Sequence, residues 1–276
     1  MCGIVGAVAE RNVVPILMEG LRRLEYRGYD SAGIAIRTDD GMVRVRRVGK
    51  VQELQNALDE SPVRGGTGIS HTRWATHGVP NETNAHPHLS SEKIAIVHNG
   101  IIENYEELRN DLKAKGYEFT SDTDTETIAH RIHYNAQQAD DFIGAVRITV
   151  AELEGAYAIA VMNTDSPEQL VIARQGAPAV VGIGIGENFV ASDVAALLPV
   201  TRNFIFLEEG DVALVERKQV TIWNEQGERV EREVRESALD ADAAERGEFR
   251  HYMLKEIYEQ AAAVGRTLDG RIVDGR

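Results

Sequence analysis

Residues 2–9 read CGIVGAVA, a short apolar run carrying two glycines and no charge. Such a run reads as a buried strand. Working outward, Val13, Leu17, Leu21 and Leu24 recur at three- and four-residue spacing, which predicts an amphipathic helix over 12–25. Strands are expected at 32–38, 43–49, 67–72 and 94–98, with a short helix near 52–59. Residues 104–115 (NYEELRNDLKAK) form a predicted helix closed by Gly116, where a left-handed cap residue belongs. Helices over about 124–138 and 141–153 precede a strand-rich block from 156 to about 223. Two blocks of strands with helices between them point to an α+β fold.

The bulk numbers narrow the partners. The chain has 276 residues, 43% hydrophobic, enough for a sizeable core. Its 44 acidic and 30 basic residues leave a net charge of −14. Phosphate binding needs a basic face, so nucleic acid is not expected as a partner. No apolar run approaches the ~20 residues of a membrane span, and no basic-then-apolar leader opens the chain. A cytoplasmic protein without a membrane partner is expected. The lone cysteine rules out an intramolecular disulfide, which suits a reducing compartment. From about 228 the pattern changes: charges of both signs crowd 228–250, followed by FRHYMLKEIYEQ at 249–260 and TLDGRIVDGR at 267–276. Residues 1–227 are therefore expected to form the main domain, and 228–276 a C-terminal segment leading to something longer.

The position of the cysteine carries the chemistry. A thiol needs a base to become a good nucleophile. Removal of Met1, which precedes a small side chain, would give Cys2 a base on its own residue, the free α-amine. With an α-amine pKa of about 7.7–8.0 and a thiol near 8.5, the proton transfer costs only ~1 kcal/mol. A retained Met1 would leave an amide with no basicity. The competing reading is a small buried hydrophobe beginning a strand.

Acyl transfer also needs oxyanion donors and groups that hold the substrate. Asn99-Gly100, after the strand 94–98, reads as a tight hairpin turn. Its functional alternative is a pair of donors, the Asn99 amide and the Gly100 N–H, with glycine allowing close approach. In HTRWATHG at 71–78, Arg73 suits a carboxylate clamp or a surface ion pair, and Trp74 is core or a mobile lid. SDTDTE at 121–126 opens a helix: Thr123 and Glu126 have capping-box spacing, and Asp124 at the helix start could pair with a substrate ammonium. Five of the eight histidines (His71, His77, His86, His88, His98) fall within 71–98, which raises a zinc hydrolase, but no ligand spacing of known mechanism accompanies them. Gly182, Gly184 and Gly186 lack the further glycine of a dinucleotide loop, since residue 187 is Glu187, and mark strand edges and a turn.

Together, CGIVGA at 2–7, LRRLEYRGYDSAGIA at 21–35, GTGISHTRWATHG at 66–78, NAHPH at 84–88, HNGIIENY at 98–105, SDTDTE at 121–126, ENFVASD at 187–193 and HYMLKEIYEQ at 251–260 carry a resemblance. They resemble the class II, N-terminal-nucleophile glutamine amidotransferases, and within them the glutaminase domains of glucosamine-6-phosphate synthases. The resemblance implies a four-layer αββα sandwich and hydrolysis of L-glutamine to L-glutamate and ammonia. It implies Cys2 as nucleophile with its amine as base, and Asn99 with Gly100 as oxyanion hole. Arg73 would hold the α-carboxylate and Asp124 the α-ammonium, Thr76 and His77 would line the pocket, and Trp74 would gate the ammonia exit. No metal or cofactor is implied. In such synthases an isomerase domain, absent here, uses the ammonia to make glucosamine-6-phosphate from fructose-6-phosphate, and the assembly is expected to be a homodimer. Ala261 stands where the family has proline, which bears on the path of the linker. Two competitors remain at this stage: a glutamine-binding module with Met1 retained, and the zinc hydrolase.

Overall fold

The alternation of a strand sends neighbouring side chains to opposite faces, and residues 2–9 follow it. The computed structural model describes residues 2–74, 78–238 and 252–268, with Gly3–Val8 as β1. Ile4 and Val8 enter a core between two sheets. Val5 points the other way, to α1 (Val14–Leu24), where a Cβ on Gly20 would lie 2.9 Å from two Val5 methyls. Leu17, Leu21 and Leu24 of α1 are fully buried, each stabilising the helix on its sheet by about 1.5–3 kcal/mol. The charged face, with Arg22 and Glu19, stays half-exposed.

The first sheet contains β1, β2 (Ser31–Thr38), β3 (Gly41–Val48), β4 (Thr67–Arg73), β9 (Val180–Ile183), β10 (Asn188–Ala191), β11 (Asn203–Phe206) and β15 (Val234–Glu236). Its order is β15-β11-β9-β10-β1-β4-β2-β3, so β1 lies inside it, antiparallel to both neighbours. The second contains β5 (His88–Ser90), β6 (Ile94–Ile102), β7 (Gly155–Asn163), β8 (Gln169–Gln175), β12 (Val212–Glu216), β13 (Val220–Trp223) and β14 (Arg229–Val230), in the order β14-β13-β12-β8-β7-β6-β5. The sheets face each other through Ile4, Ile69 and Val190 on one side and Val97, Ala160 and Leu170 on the other.

Helix α1, with α2 (Val51–Glu60) beside it, covers the outer face of the first sheet. The outer face of the second is covered by α4 (Asp124–Asn135) and α5 (Phe142–Val150), whose Ile128, Ile132, Phe142 and Val146 pack on Ile94, Ile96 and Ile159. Helix α3 (Tyr105–Ala114) packs on α4. The result is the expected α+β class in an αββα order.

Three expectations change. Asn99-Gly100 is not a hairpin turn: β6 continues through it to Ile102, pairing Asn99 with Ala158 and Gly100 with Tyr157 on β7. The Thr123–Glu126 capping box forms by half. The Thr123 hydroxyl accepts the Glu126 N–H at 3.3 Å, whereas the Glu126 carboxylate reaches the N–H groups of Thr120 and Ser121 at 2.9 and 2.7 Å. Beyond residue 228, two short strands join the sheets, and the compact unit extends to residue 239. Arg232 fastens this stretch through paired 2.9 Å contacts to Asp211, which is fully buried. A second unit, residues 240–276, contains α6 (Tyr252–Leu268), with Lys255 3.7 Å from Glu259 one turn on. None of the helices among the described residues is long and apolar enough to cross a membrane.

Candidate active site

Strand phase delivers the first half of the site. On β4, Ile69, His71 and Arg73 alternate onto the face shared with Ile4, the intersheet side. There the sheets part into a cavity of ≈ 480 Å³ lined by Cys2, Arg73, Trp74, Asn99, Gly100 and Asp124, among others. That volume lies within the usual range for small-molecule pockets, about 300–1,000 Å³.

Cys2 immediately precedes β1, partly buried and with a free thiol. The Trp74 N–H donates to its Sγ at 3.2 Å, and the thiol donates back to the Trp74 carbonyl at 3.5 Å. Burial pushes the thiol pKa up, with the Trp74 N–H opposing that shift. The resting sulfur is therefore protonated at neutral pH, and a base has to remove the proton before it can attack.

Asn99 is held on both ends. Its Nδ2 donates to the Cys2 carbonyl at 3.2 Å, and its Oδ1 lies 3.0 Å from His71 Nε2. Gly100 adopts φ +131°, and a Cβ there would sit 2.0 Å from the Ala156 carbonyl oxygen. Glycine is required here by the neighbouring strand, a reason separate from substrate approach.

Arg73 is not a surface ion pair. It is 3% exposed, with Asp30 3.6 Å from Nη1 and the Gly78 carbonyl accepting from Nη2 at 3.2 Å. Asp124 opens α4 and is equally buried. Its Oδ2 accepts the Ile102 N–H at 2.9 Å and its Oδ1 takes a long 3.4 Å contact from the Thr125 hydroxyl, which leaves lone pairs for a ligand. A buried cation and a buried anion thus share one cavity with a thiol. Trp74 is neither core nor fully free. The residue is 55% exposed, but its ring lies over Gly28, where a Cβ would be 2.1 Å from it. Thr76 and His77 lie outside the described residues.

The histidines near the site are structural neighbours of one another. The His71 and His86 ring centroids are 4.3 Å apart, and those of His86 and His88 4.9 Å. Burial lowers the His71 pKa to about 3 and pushes His86 and His88 well below the ordinary value. These rings are neutral, His86 meeting His71 at a tilt and His88 edge-on, and among the described residues no three His, Cys, Asp or Glu side chains converge as a metal set. Sequence reasoning passed over Arg27, which lines the cavity and pairs with Asp193, and His71 as a partner of Asn99. Arg27 lies in LRRLEYRGYDSAGIA at 21–35 and His71 in GTGISHTRWATHG at 66–78, but the contact of His71 with Asn99 joins two sheets and leaves no local pattern.

Comparison with known proteins agrees with this geometry. A family described as glutamine amidotransferase domain matches residues 71–199. The chain is 61% identical over 274 residues to an isomerizing glutamine–fructose-6-phosphate aminotransferase of Shewanella oneidensis, covering 99% of this chain and 45% of that protein. A namesake from Idiomarina loihiensis is 60% identical over 273 residues, with the same coverage. The chain thus spans less than half the length of these curated relatives. Among solved structures, glutamine phosphoribosylpyrophosphate amidotransferase from B. subtilis shares the fold with a TM-score of 0.70 at 24% identity, over 81% of this chain and 49% of that one. A thiol ahead of an interior strand and a two-sheet sandwich thus stand beside two likenesses: residues 71–199 match the glutamine amidotransferase domain family, and nearly the whole chain is similar to part of the glutamine–fructose-6-phosphate aminotransferases.

Proposed function

We propose that this domain hydrolyses the side-chain amide of L-glutamine to L-glutamate and ammonia through a γ-glutamyl thioester on Cys2. One observation carries the reading: four distant stretches converge on a single cavity. They are the thiol before β1, Arg73 ending β4, Asn99-Gly100 within β6 and Asp124 opening α4. The cation and the anion complement the carboxylate and ammonium of an α-amino acid, and the thiol serves the remaining end of the substrate.

In this mechanism Met1 is removed and the exposed α-amine takes the proton from the buried Cys2 thiol. The thiolate attacks the amide carbon, and the oxyanion accepts hydrogen bonds from Asn99 Nδ2 and the Gly100 N–H. The protonated amine gives its proton to the departing ammonia. Water then adds to the thioester while the amine accepts its proton, and collapse of the second tetrahedral species releases glutamate and restores the thiol. Thr76 and His77 are assigned to substrate binding on the resemblance alone, and Trp74, resting on Gly28, gates the way out for ammonia. No step calls for a metal or cofactor.

The relatives' name joins glutamine to fructose-6-phosphate, and they are more than twice the length matched here. On that support, the compact unit that ends at residue 239 is the glutaminase domain, and the residues after it lead toward a sugar-phosphate isomerase domain that turns the ammonia and fructose-6-phosphate into glucosamine-6-phosphate. A mechanism resting on one reduced thiol suits the cytoplasm. The test is intact-mass measurement before and after an electrophilic glutamine analogue, with ammonia release assayed for Cys2→Ala. The expected result is loss of Met1, one adduct on Cys2 and no turnover by the variant. A retained Met1 in active protein, or Cys2→Ala turnover within tenfold of wild type, would refute the assignment.

A further inference from the structure

An asparagine amide can face either way, and only one way supplies an N–H to an oxyanion. We propose that His71 is the positioning residue that sets the direction of the Asn99 amide, and so makes Asn99 a donor toward the cavity. The inference rests on the proposed oxyanion role of Asn99 and adds what enforces it.

The Asn99 side chain sits between two groups. With Oδ1 toward His71 and Nδ2 toward the Cys2 carbonyl, both contacts, 3.0 and 3.2 Å, join a donor to an acceptor. One Nδ2 hydrogen is used on Cys2, and the second remains for the cavity that Asn99 lines. Turned over, the amide would set Oδ1 against the Cys2 carbonyl, acceptor against acceptor. It would also force His71 to carry its proton on Nδ1. That nitrogen is buried and has no hydrogen-bond partner among the described residues, and an orphaned N–H is among the rarest groups in a folded interior. The Nε2–H tautomer of a neutral His71 is the one arrangement that satisfies both contacts.

The surroundings hold the imidazole still. His71 is fully buried on β4, opposite Ile4 on one side and Gly33 on the other. Its ring packs against His86 at 4.3 Å. Gly33 makes that packing possible, because a Cβ there would lie 2.1 Å from the His86 carbonyl oxygen. Neither His71 nor Gly33 needs to touch substrate: His71 acts through Asn99, and Gly33 through His86.

The test compares glutamine hydrolysis by Asn99→Ala, His71→Leu, His71→Gln and the double variant Asn99→Ala/His71→Leu. Glutamine at position 71 keeps an amide N–H close to where Nε2 stood, whereas leucine removes it. The expected result is a kcat loss on the order of 10²-fold for His71→Leu, comparable to removal of one oxyanion donor. KM should stay within threefold, His71→Gln should recover to within tenfold of wild type, and the double variant should be no slower than Asn99→Ala alone. A further large loss in the double variant would overturn the inference, since His71 would then act by another route. So would a His71→Leu kcat near wild type while Asn99→Ala is impaired, a result that leaves the oxyanion reading standing. An unimpaired Asn99→Ala would remove the oxyanion reading itself. Independently of any variant, nitrogen-15 NMR of the unaltered protein should show His71 protonated on Nε2, and protonation on Nδ1 would refute the proposal.

Discussion

Replacing Asp124 by asparagine separates charge from shape at one point of the cavity wall. The asparagine Oδ1 can still accept the Ile102 N–H that Asp124 takes at 2.9 Å, so the junction between β6 and α4 survives. What disappears is the negative charge proposed to face a substrate ammonium. Asp124 is 3% exposed, so this pairing is desolvated, and truncating one partner of such a pair costs roughly 2–5 kcal/mol. Taking about 3 kcal/mol, at 1.4 kcal/mol per decade, KM for glutamine should rise about 150-fold. The loss at saturation should be small, because the amide end of the substrate is unaffected. Ammonia release measured with glutamine, and with glutaramate, which keeps the amide and the carboxylate but lacks the ammonium, isolates the effect. Asp124→Asn should lose affinity for glutamine and handle glutaramate like wild type. Equal losses on both substrates, or a glutamine KM within threefold of wild type, would refute the pairing.

Two further outcomes follow from the interior. His71, His86 and His88 have depressed folded-state pKa values against about 6.5 when unfolded, so the unfolded chain binds more protons below that pH. Their contribution to stability is complete above about pH 6.5 and is lost as pH falls, by up to ~1.4 kcal/mol per pH unit for each ring. Carbon-13 shifts of these imidazoles should therefore stay constant from pH 7 to 5 in the folded protein while the urea midpoint drops; rings that titrate near 6.5 in the folded state would contradict this. Arg232→Ala leaves buried Asp211 without its guanidinium, at a cost of about 1–3 kcal/mol. The urea midpoint should fall while the KM for glutamine at 25 °C is unchanged, and an unaltered midpoint would show that Arg232 does not fasten the stretch after β14.

What could be read from the chain alone was whatever depends on local spacing. The apolar run at 2–9, the leucine stripe of α1 and the acidic start of α4 each state their structure within a few residues, and they place Cys2 and Asp124. Asn99-Gly100 misled as a turn because that dipeptide also fits a strand when a neighbouring carbonyl, here that of Ala156, occupies the space of a side chain. The strands β5, β14 and β15 escaped notice because two or three residues are too few to show an alternation. Glu126 had the right spacing for a reciprocal cap but found stronger partners in Thr120 and Ser121. The contact of His71 with Asn99 spans 28 residues and two sheets, and no local pattern announces it.

The interior place of β1 also bears on how the molecule is made. Synthesis runs from the first residues onward, so β1 leaves the ribosome early, yet its register is completed on one side by Thr67–Arg73 and on the other only by Asn188–Ala191. Until residue 191 has emerged, the stretch bearing the thiol lacks its second neighbour. Pairings so distant in sequence form slowly, so a nascent chain carries the Cys2 sulfur unorganised until β10 has been made.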